Sequence, residues 1–222
     1  LIKESVAKYV KEEAMEAIRI GKDYILMPSD RDGYMHLYLY SQNGKLLRKI
    51  GDGKYDITKV YGYDEKTGDV YYQAAPLNPH DRQIMVTRKN GKTVRLTNQE
   101  GWNEAIFSGD CKYFVNTWSD INNPYVYTTR NNQGKVIATN LDNKELQAKT
   151  RQYGWTKNEM FSFTTSEGVK LDGWMVKPAN FDPNKKYPVI MFQYSGPGSQ
   201  QVVNSWNAGS MGQGCAYDQY LA

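Results

Sequence analysis

A mainly β chain is predicted: propeller-type blades of four short strands each, followed by the first part of an open α/β sheet. Three observations carry this. Asn43-Gly44-Lys45, Asn90-Gly91-Lys92 and Asn132-Gln133-Gly134-Lys135 each follow a β-rich run, and Gly44, Gly91 and Gly134 stand 47 and 43 residues apart. Eighteen tyrosines and five tryptophans, with 19 glycines among 222 residues, favour short strands and turns over helices. Finally, Val189-Ile190-Met191-Phe192 is an uncharged, β-prone run of the kind that is buried on both faces of a parallel sheet.

Residues 1 to about 20 mix Lys, Glu and Ala around Val6, Val10, Met15 and Ile18, a pattern open to a helix or to an irregular lead-in. From Asp23 the period becomes two. Tyr24-Ile25-Leu26-Met27, a polar turn at Ser29–Gly33, and Leu37-Tyr38-Leu39-Tyr40 then lead into Asn43-Gly44. Asn-Gly between β-rich runs signals a hairpin whose two central residues both take positive φ. Met85-Val86-Thr87 and Tyr125-Val126-Tyr127 lead into the two later turns. Between them lie matched pairs, Tyr61-Gly62-Tyr63 with Val70-Tyr71-Tyr72 and Ala105-Ile106-Phe107 with Tyr113-Phe114-Val115, each separated by a Gly-Asp turn.

A repeat of about 45 residues with four strands is the signature of a propeller blade. One such sheet cannot bury both faces alone, and stacking covers them. Two full blades and part of a third fit between about residue 22 and residue 145. A closed propeller needs at least four, which places the others upstream. Leu141 to Thr156 is polar and charged and is expected to cross between domains. These boundaries assign residues 1–150 to the propeller part and 151–222 to the α/β part.

Met160–Thr164 and Leu171–Val176 are predicted to pair around Ser166-Glu167-Gly168. Pro188 suits the first position of the buried strand, where a missing N–H matters little. That strand stops at Tyr194-Ser195-Gly196-Pro197-Gly198, small residues that let backbone approach a ligand beside an exposed tyrosine. The chain opens at Leu1 and closes in what reads as an uncapped helix at Tyr217–Ala222, so it is expected to be an internal piece of a longer protein.

The net charge of +4 is mild and its cations are scattered, which argues against a nucleic-acid face. Cys111 and Cys215 have no metal spacing and are expected to be free buried thiols. His36 and His80 each stand without a second ligand at useful spacing, so no metal or other cofactor is expected. Asp30, Arg31 and Asp32 suit either a contact facing the propeller channel or turn chemistry with a local ion pair. Gly51-Asp52-Gly53 lacks the strand–helix context of a phosphate loop. No apolar run approaches the roughly 20 residues that span a bilayer.

Several motifs together resemble the prolyl oligopeptidase family, and its dipeptidyl peptidase IV branch most closely. They are Leu171-Asp172-Gly173-Trp174-Met175-Val176-Lys177-Pro178, Phe181-Asp182, Lys185-Lys186-Tyr187-Pro188-Val189 and Tyr194-Ser195-Gly196-Pro197-Gly198-Ser199-Gln200. The Asp30–Tyr38 stretch also resembles a blade turn of bacterial members. The resemblance implies an α/β-hydrolase start at 151–222 and a serine exopeptidase that removes Xaa-Pro or Xaa-Ala dipeptides from peptide substrates. It places the oxyanion-donating hydroxyl on Tyr194. Gly198 stands where some relatives carry a cysteine, which removes a disulfide option and leaves the turn intact. Family members are often homodimeric and periplasmic or membrane-anchored, so a periplasmic or cell-surface parent is expected.

The nucleophile of this fold sits in a G-x-S-x-G elbow followed by Asp and then His. Ala208-Gly209-Ser210-Met211-Gly212 is a near match and is rejected, because Asn204–Asn207 is too polar for the preceding strand and both histidines lie upstream. The triad is therefore expected outside these residues and the fragment alone is expected to be inactive. Glu12-Glu13 lacks the pattern around the paired glutamates that grip the substrate amine, which leaves dipeptidyl against endopeptidase specificity open. The alternative is a propeller-type binding module with a non-catalytic tail.

Overall fold

The computed structural model describes residues 2–5, 17–194, 196, 198–206, 208–210 and 214–222. Three antiparallel four-stranded meanders follow one another, each with its strands in chain order. Sheet 1 holds β1 (Arg19–Ile20), β2 (Tyr24–Ser29), β3 (His36–Ser41) and β4 (Leu46–Ile50). Sheet 2 holds β5 (Ile57–Asp64), β6 (Asp69–Ala74), β7 (Gln83–Thr87) and β8 (Thr93–Arg95). Sheet 3 holds β9 (Trp102–Phe107), β10 (Tyr113–Asp120), β11 (Asn123–Asn131) and β12 (Val136–Leu141). The expected two and a part are thus three complete units.

The hairpin turns recur as expected, with one correction. Only the glycine takes positive φ: 83° at Gly44, 86° at Gly91 and 84° at Gly134, whereas Asn43 and Asn90 do not. In the first, Gly44 N–H donates to Ser41 O and Ser41 N–H to Lys45 O, both at 2.9 Å. The same pair of bonds closes Arg88–Lys92 and Asn131–Lys135. This is a three-residue loop, a type I turn followed by a left-handed glycine that forms a bulge. The asparagine amide oxygen serves instead as a local acceptor: Asn90 Oδ1 takes the Lys92 N–H at 3.0 Å.

Alternation along each strand explains how the sheets stack. Val70, Tyr72 and Ala74 of β6 face sheet 1, where they meet Leu26, Leu37, Leu39 and Ile50. Tyr71 of the same strand, with Ile84 and Val86, faces sheet 3 and meets Ala105, Cys111 and Phe114. Both faces of sheet 2 are covered, so β6 and β7 are buried along their whole length. Each large aliphatic side chain among them, such as Val70, Ile84 and Val86, contributes about 1.5–3 kcal/mol by leaving water. On the outer face of sheet 1, Met27, Tyr38 and Tyr40 pack with Ile2 and Ile18. The helix reading of residues 1–20 turned on Val6, Val10 and Met15, which lie outside the described residues.

Beyond sheet 3 the chain forms α1 (Lys144–Gln152), the hairpin β13 (Asn158–Thr164) and β14 (Lys170–Val176), and α2 (Cys215–Leu221). The hairpin and the terminal helix fall where the sequence put them. Helix α1 lies inside the stretch read only as a polar crossing. Its run Lys-Glu-Leu-Gln-Ala-Lys has strong helix propensity, with Glu145 in the first turn and Lys149 and Arg151 in the last.

The buried strand expected at Val189–Phe192 is not formed. The segment is irregular, with Val189 86%, Ile190 72%, Met191 83% and Phe192 39% exposed. A parallel strand takes its hydrogen bonds from neighbours on both sides, and none of the described residues supplies one. No α/β layer is therefore built among the described residues.

Candidate active-site segment

Tyr194 sits on the irregular segment that leaves Tyr187 and fastens again at Gln200. The residue is 60% exposed and takes no part in the apolar clusters. Upstream, Tyr187 is fixed by stacking on Phe181 (5.1 Å) and by its hydroxyl accepting the Asp182 N–H at 2.8 Å. Ser199 N–H donates to Gly196 O at 3.1 Å and closes the turn between Tyr194 and Gln200. Ser195 and Pro197 of the predicted turn lie outside the described residues.

The segment is fastened to the loops between strands at one end of sheets 2 and 3. Gln200 Nε2 donates to Pro79 O (2.6 Å), and its Oε1 accepts from Arg82 Nη2 (2.6 Å). Asn204 makes three bonds: N–H to His80 O, Nδ2 to Asp81 Oδ1, and Oδ1 from Ile121 N–H, each at 2.9 Å. Trp206 N–H donates to Ser119 Oγ at 3.2 Å. Asp81 is almost wholly buried and also accepts from Gly101 N–H (3.1 Å) and Asn78 Nδ2 (2.7 Å). Burial pulls the Arg82 guanidinium below its ordinary value, while Asp56 and Asp81 oppose that shift.

A cavity of about 520 Å³ opens between the Asp120–Asn123 loop, α1 and the tryptophan pair Trp155 and Trp206, whose rings lie 5.6 Å apart. The Asp120 carboxylate at its wall is occupied by Asn122 N–H, Asn123 N–H and Asn123 Nδ2, each at 2.7 Å.

The other sequence candidates separate cleanly. His36, on β3, is buried and hydrogen-bonded through Nε2 to Gly53 O at 3.1 Å, which gives Gly51-Asp52-Gly53 a structural task. His80 Nδ1 lies 3.6 Å from Asp172 Oδ2 of β14. Among the described residues no three His, Cys, Asp or Glu gather as a metal site. Arg31 pairs with Glu4 and covers the Tyr38 ring at 4.2 Å, and Asp32 accepts from Tyr38 (2.6 Å) and Lys49 (2.7 Å). Ion pairs to Glu4 and Lys49, both distant in sequence, thus engage Arg31 and Asp32. Ser210 follows no strand, and its N–H donates to Asp218 Oδ2 at 2.9 Å. Cys111 and Cys215 are free and buried. Sequence reasoning missed Arg82, Asp81 and Asn204, because nothing near 81–82 points to a partner more than a hundred residues away.

Three stacked meanders with a polar-fastened strap define a mainly β protein built of repeated four-stranded units. Residues 2–125 match the family model described as the dipeptidyl peptidase IV (DPP IV) N-terminal region, and the chain belongs to that family. It is 30% identical over 193 residues to a dipeptidyl peptidase 4 of Arthroderma otae and 28% identical over 193 residues to that of Trichophyton rubrum. Both matches cover 85% of this chain, which spans 25% of each of those relatives. The crystal structure of Porphyromonas gingivalis dipeptidyl peptidase 4 superposes with a TM-score of 0.86 at 34% identity, over 91% of this chain and 30% of that one. A putative dipeptidyl aminopeptidase IV from Bacteroides ovatus shares the fold, with a TM-score of 0.75 at 24% identity.

Proposed function

We propose that this chain is part of a serine exopeptidase that releases N-terminal dipeptides, Xaa-Pro or Xaa-Ala, and that Tyr194 donates to its oxyanion. Residues 1–150 are then blades of a propeller that restricts access to peptide ends, and 151–222 lead into the α/β-hydrolase domain. The observation that carries this is the exposed residue Tyr194 on a strap fastened to the loops of sheets 2 and 3, in a sequence context that resembles that branch. A serine from outside these residues attacks the carbonyl after the second residue. A histidine takes the serine proton and passes it to the leaving amine, and an aspartate orients the histidine. As negative charge grows on the carbonyl oxygen, a neutral O–H donor such as Tyr194 stabilises the transition state more than the ground state. A periplasmic or cell-surface location and a homodimeric state belong to the same proposal, on likeness to family members.

The test is Tyr194→Phe in the full-length gene product, assayed on an Xaa-Pro chromogenic substrate. Loss of one oxyanion donor lowers kcat about 100- to 1,000-fold, with KM little changed. An unaltered kcat removes the oxyanion role. The isolated 222 residues are expected to hydrolyse nothing.

A further inference from the structure

We propose that Arg82 and Gln200 are positioning residues for Tyr194, acting as a clasp that sets where the strap leaves the sheets; this rests on the oxyanion role proposed above. Arg82 is held at its backbone and through both terminal nitrogens of its guanidinium, while its buried Nε has no partner among the described residues. Its N–H donates to Gly101 O at 3.0 Å, and its carbonyl accepts from Asn103 N–H (3.1 Å) and Asn103 Nδ2 (2.9 Å). The guanidinium lies over the Trp102 ring at 4.4 Å, and Nη1 donates to Pro79 O (2.9 Å) and Asp81 O (2.8 Å). Only 7% of the residue is exposed. Nη2 is thereby aimed at one place, and Gln200 Oε1 occupies it at 2.6 Å.

The partner is fixed as tightly. Gln200 Nε2 donates to Pro79 O (2.6 Å) and Val202 O (3.0 Å) while Oε1 accepts from Arg82, so donors and acceptor of the amide are all engaged. A bond from a charged donor is about twice as strong as a neutral one, and the buried guanidinium is already oriented by Trp102, Pro79 and Asp81 when it makes it. Asn204 repeats the attachment four residues later, so the strap has a direction as well as an anchor. Tyr194 precedes Gln200 by six residues, across a turn closed by Ser199 N–H to Gly196 O. The exposed run Val189–Phe192 does not bury itself against the sheets, and the clasp is the attachment that follows the tyrosine along the strap. Displacing a catalytic group by about 1 Å can lower the rate about 100-fold.

The experiment is a kinetic cycle in the full-length enzyme with Tyr194→Phe, Gln200→Ala and the double variant, on an Xaa-Pro substrate. Gln200 is exposed, so water can reach Arg82 Nη2 in Gln200→Ala and the thermal midpoint should fall only slightly, with the variant fully folded at the assay temperature. Its kcat should fall about 10-fold or more, with KM within about 2-fold. The double variant should be no slower than Tyr194→Phe, because a misplaced phenyl ring has nothing left to lose. Arg82→Lys, which keeps charge and loses the fork, should reproduce the Gln200→Ala kcat. If Gln200→Ala retains full kcat, or its loss multiplies with that of Tyr194→Phe, the clasp is overturned although the oxyanion role stands. A wild-type rate for Tyr194→Phe instead overturns the oxyanion role itself. A wild-type rate for Arg82→Lys removes Arg82 from the clasp.

Discussion

The backbone N–H of Ala105 donates to the hydroxyl of Tyr61 at 3.1 Å, joining the first strands of sheets 2 and 3, β5 and β9, beside an apolar layer. Burial drives the Tyr61 phenol well above its ordinary pKa, so the group is neutral and available as an acceptor. Its ring packs on Phe107 at 5.5 Å, and Phe107 stacks on Phe114 at 4.7 Å. Two consecutive sheets are thus joined by both an aromatic contact and one polar bond.

Tyr61→Phe keeps the stack and leaves a buried N–H without its acceptor. The expected loss is about 1–3 kcal/mol, read as a lower urea midpoint with an unchanged slope. No change in midpoint would show that the bond is not formed in solution.

Gly91 and Gly134 share nearly the same positive φ, 86° and 84°, but differ in surroundings. A Cβ at Gly91 meets nothing within 4 Å, whereas one at Gly134 stands 2.4 Å from the Leu96 carbonyl oxygen. Alanine at Gly91 should cost about 1–2 kcal/mol, the left-handed penalty alone. Alanine at Gly134 should cost clearly more, since backbone must move. Equal losses in the two variants would contradict the packing of the β11–β12 turn on sheet 2.

His36 should make stability depend on pH. Burial, and then Lys49, hold its imidazole below its ordinary value of about 6.5, with Gly53 O, Asp32 and Asp56 opposing. The unfolded chain therefore takes up the proton first on acidification, and stability falls as pH drops through that range toward the folded value. Unfolding midpoints between pH 7.5 and 5.5 should decline, and less steeply in His36→Gln. Identical slopes would assign the effect to other groups.

Cys111 and Cys215 should resist thiol reagents in the folded protein. Both are buried, and burial raises both thiols above their ordinary range, so little thiolate is present near neutrality. Labelling should follow global unfolding. Rapid modification of either without denaturant would show that its surroundings open locally.

Much of the β architecture was legible from residues a few positions apart. Gly44, Gly91 and Gly134 mark turns because only a left-handed residue closes that loop, and two-residue alternation in Val70-Tyr71-Tyr72 marks a strand with two covered faces. The same locality explains the misreadings. Val189–Phe192 has the composition of a buried strand, but burial needs neighbours, and the described residues bring none to it. Cys111 holds φ at 54°, a conformation that asparagine or glycine would have advertised and cysteine does not.

Turn chemistry and strand period thus follow from neighbouring side chains and backbone sterics, which act over a few residues and are written in their order. The placement of the strap obeys different physics. Arg82 and Gln200 meet across 118 positions, and Asp81 and Asn204 across 123, through polar groups whose value depends on burial and direction. Neither residue in such a pair carries a local mark of the other. Folding the sheets is what brings donor and acceptor within reach and excludes the water that would otherwise satisfy both.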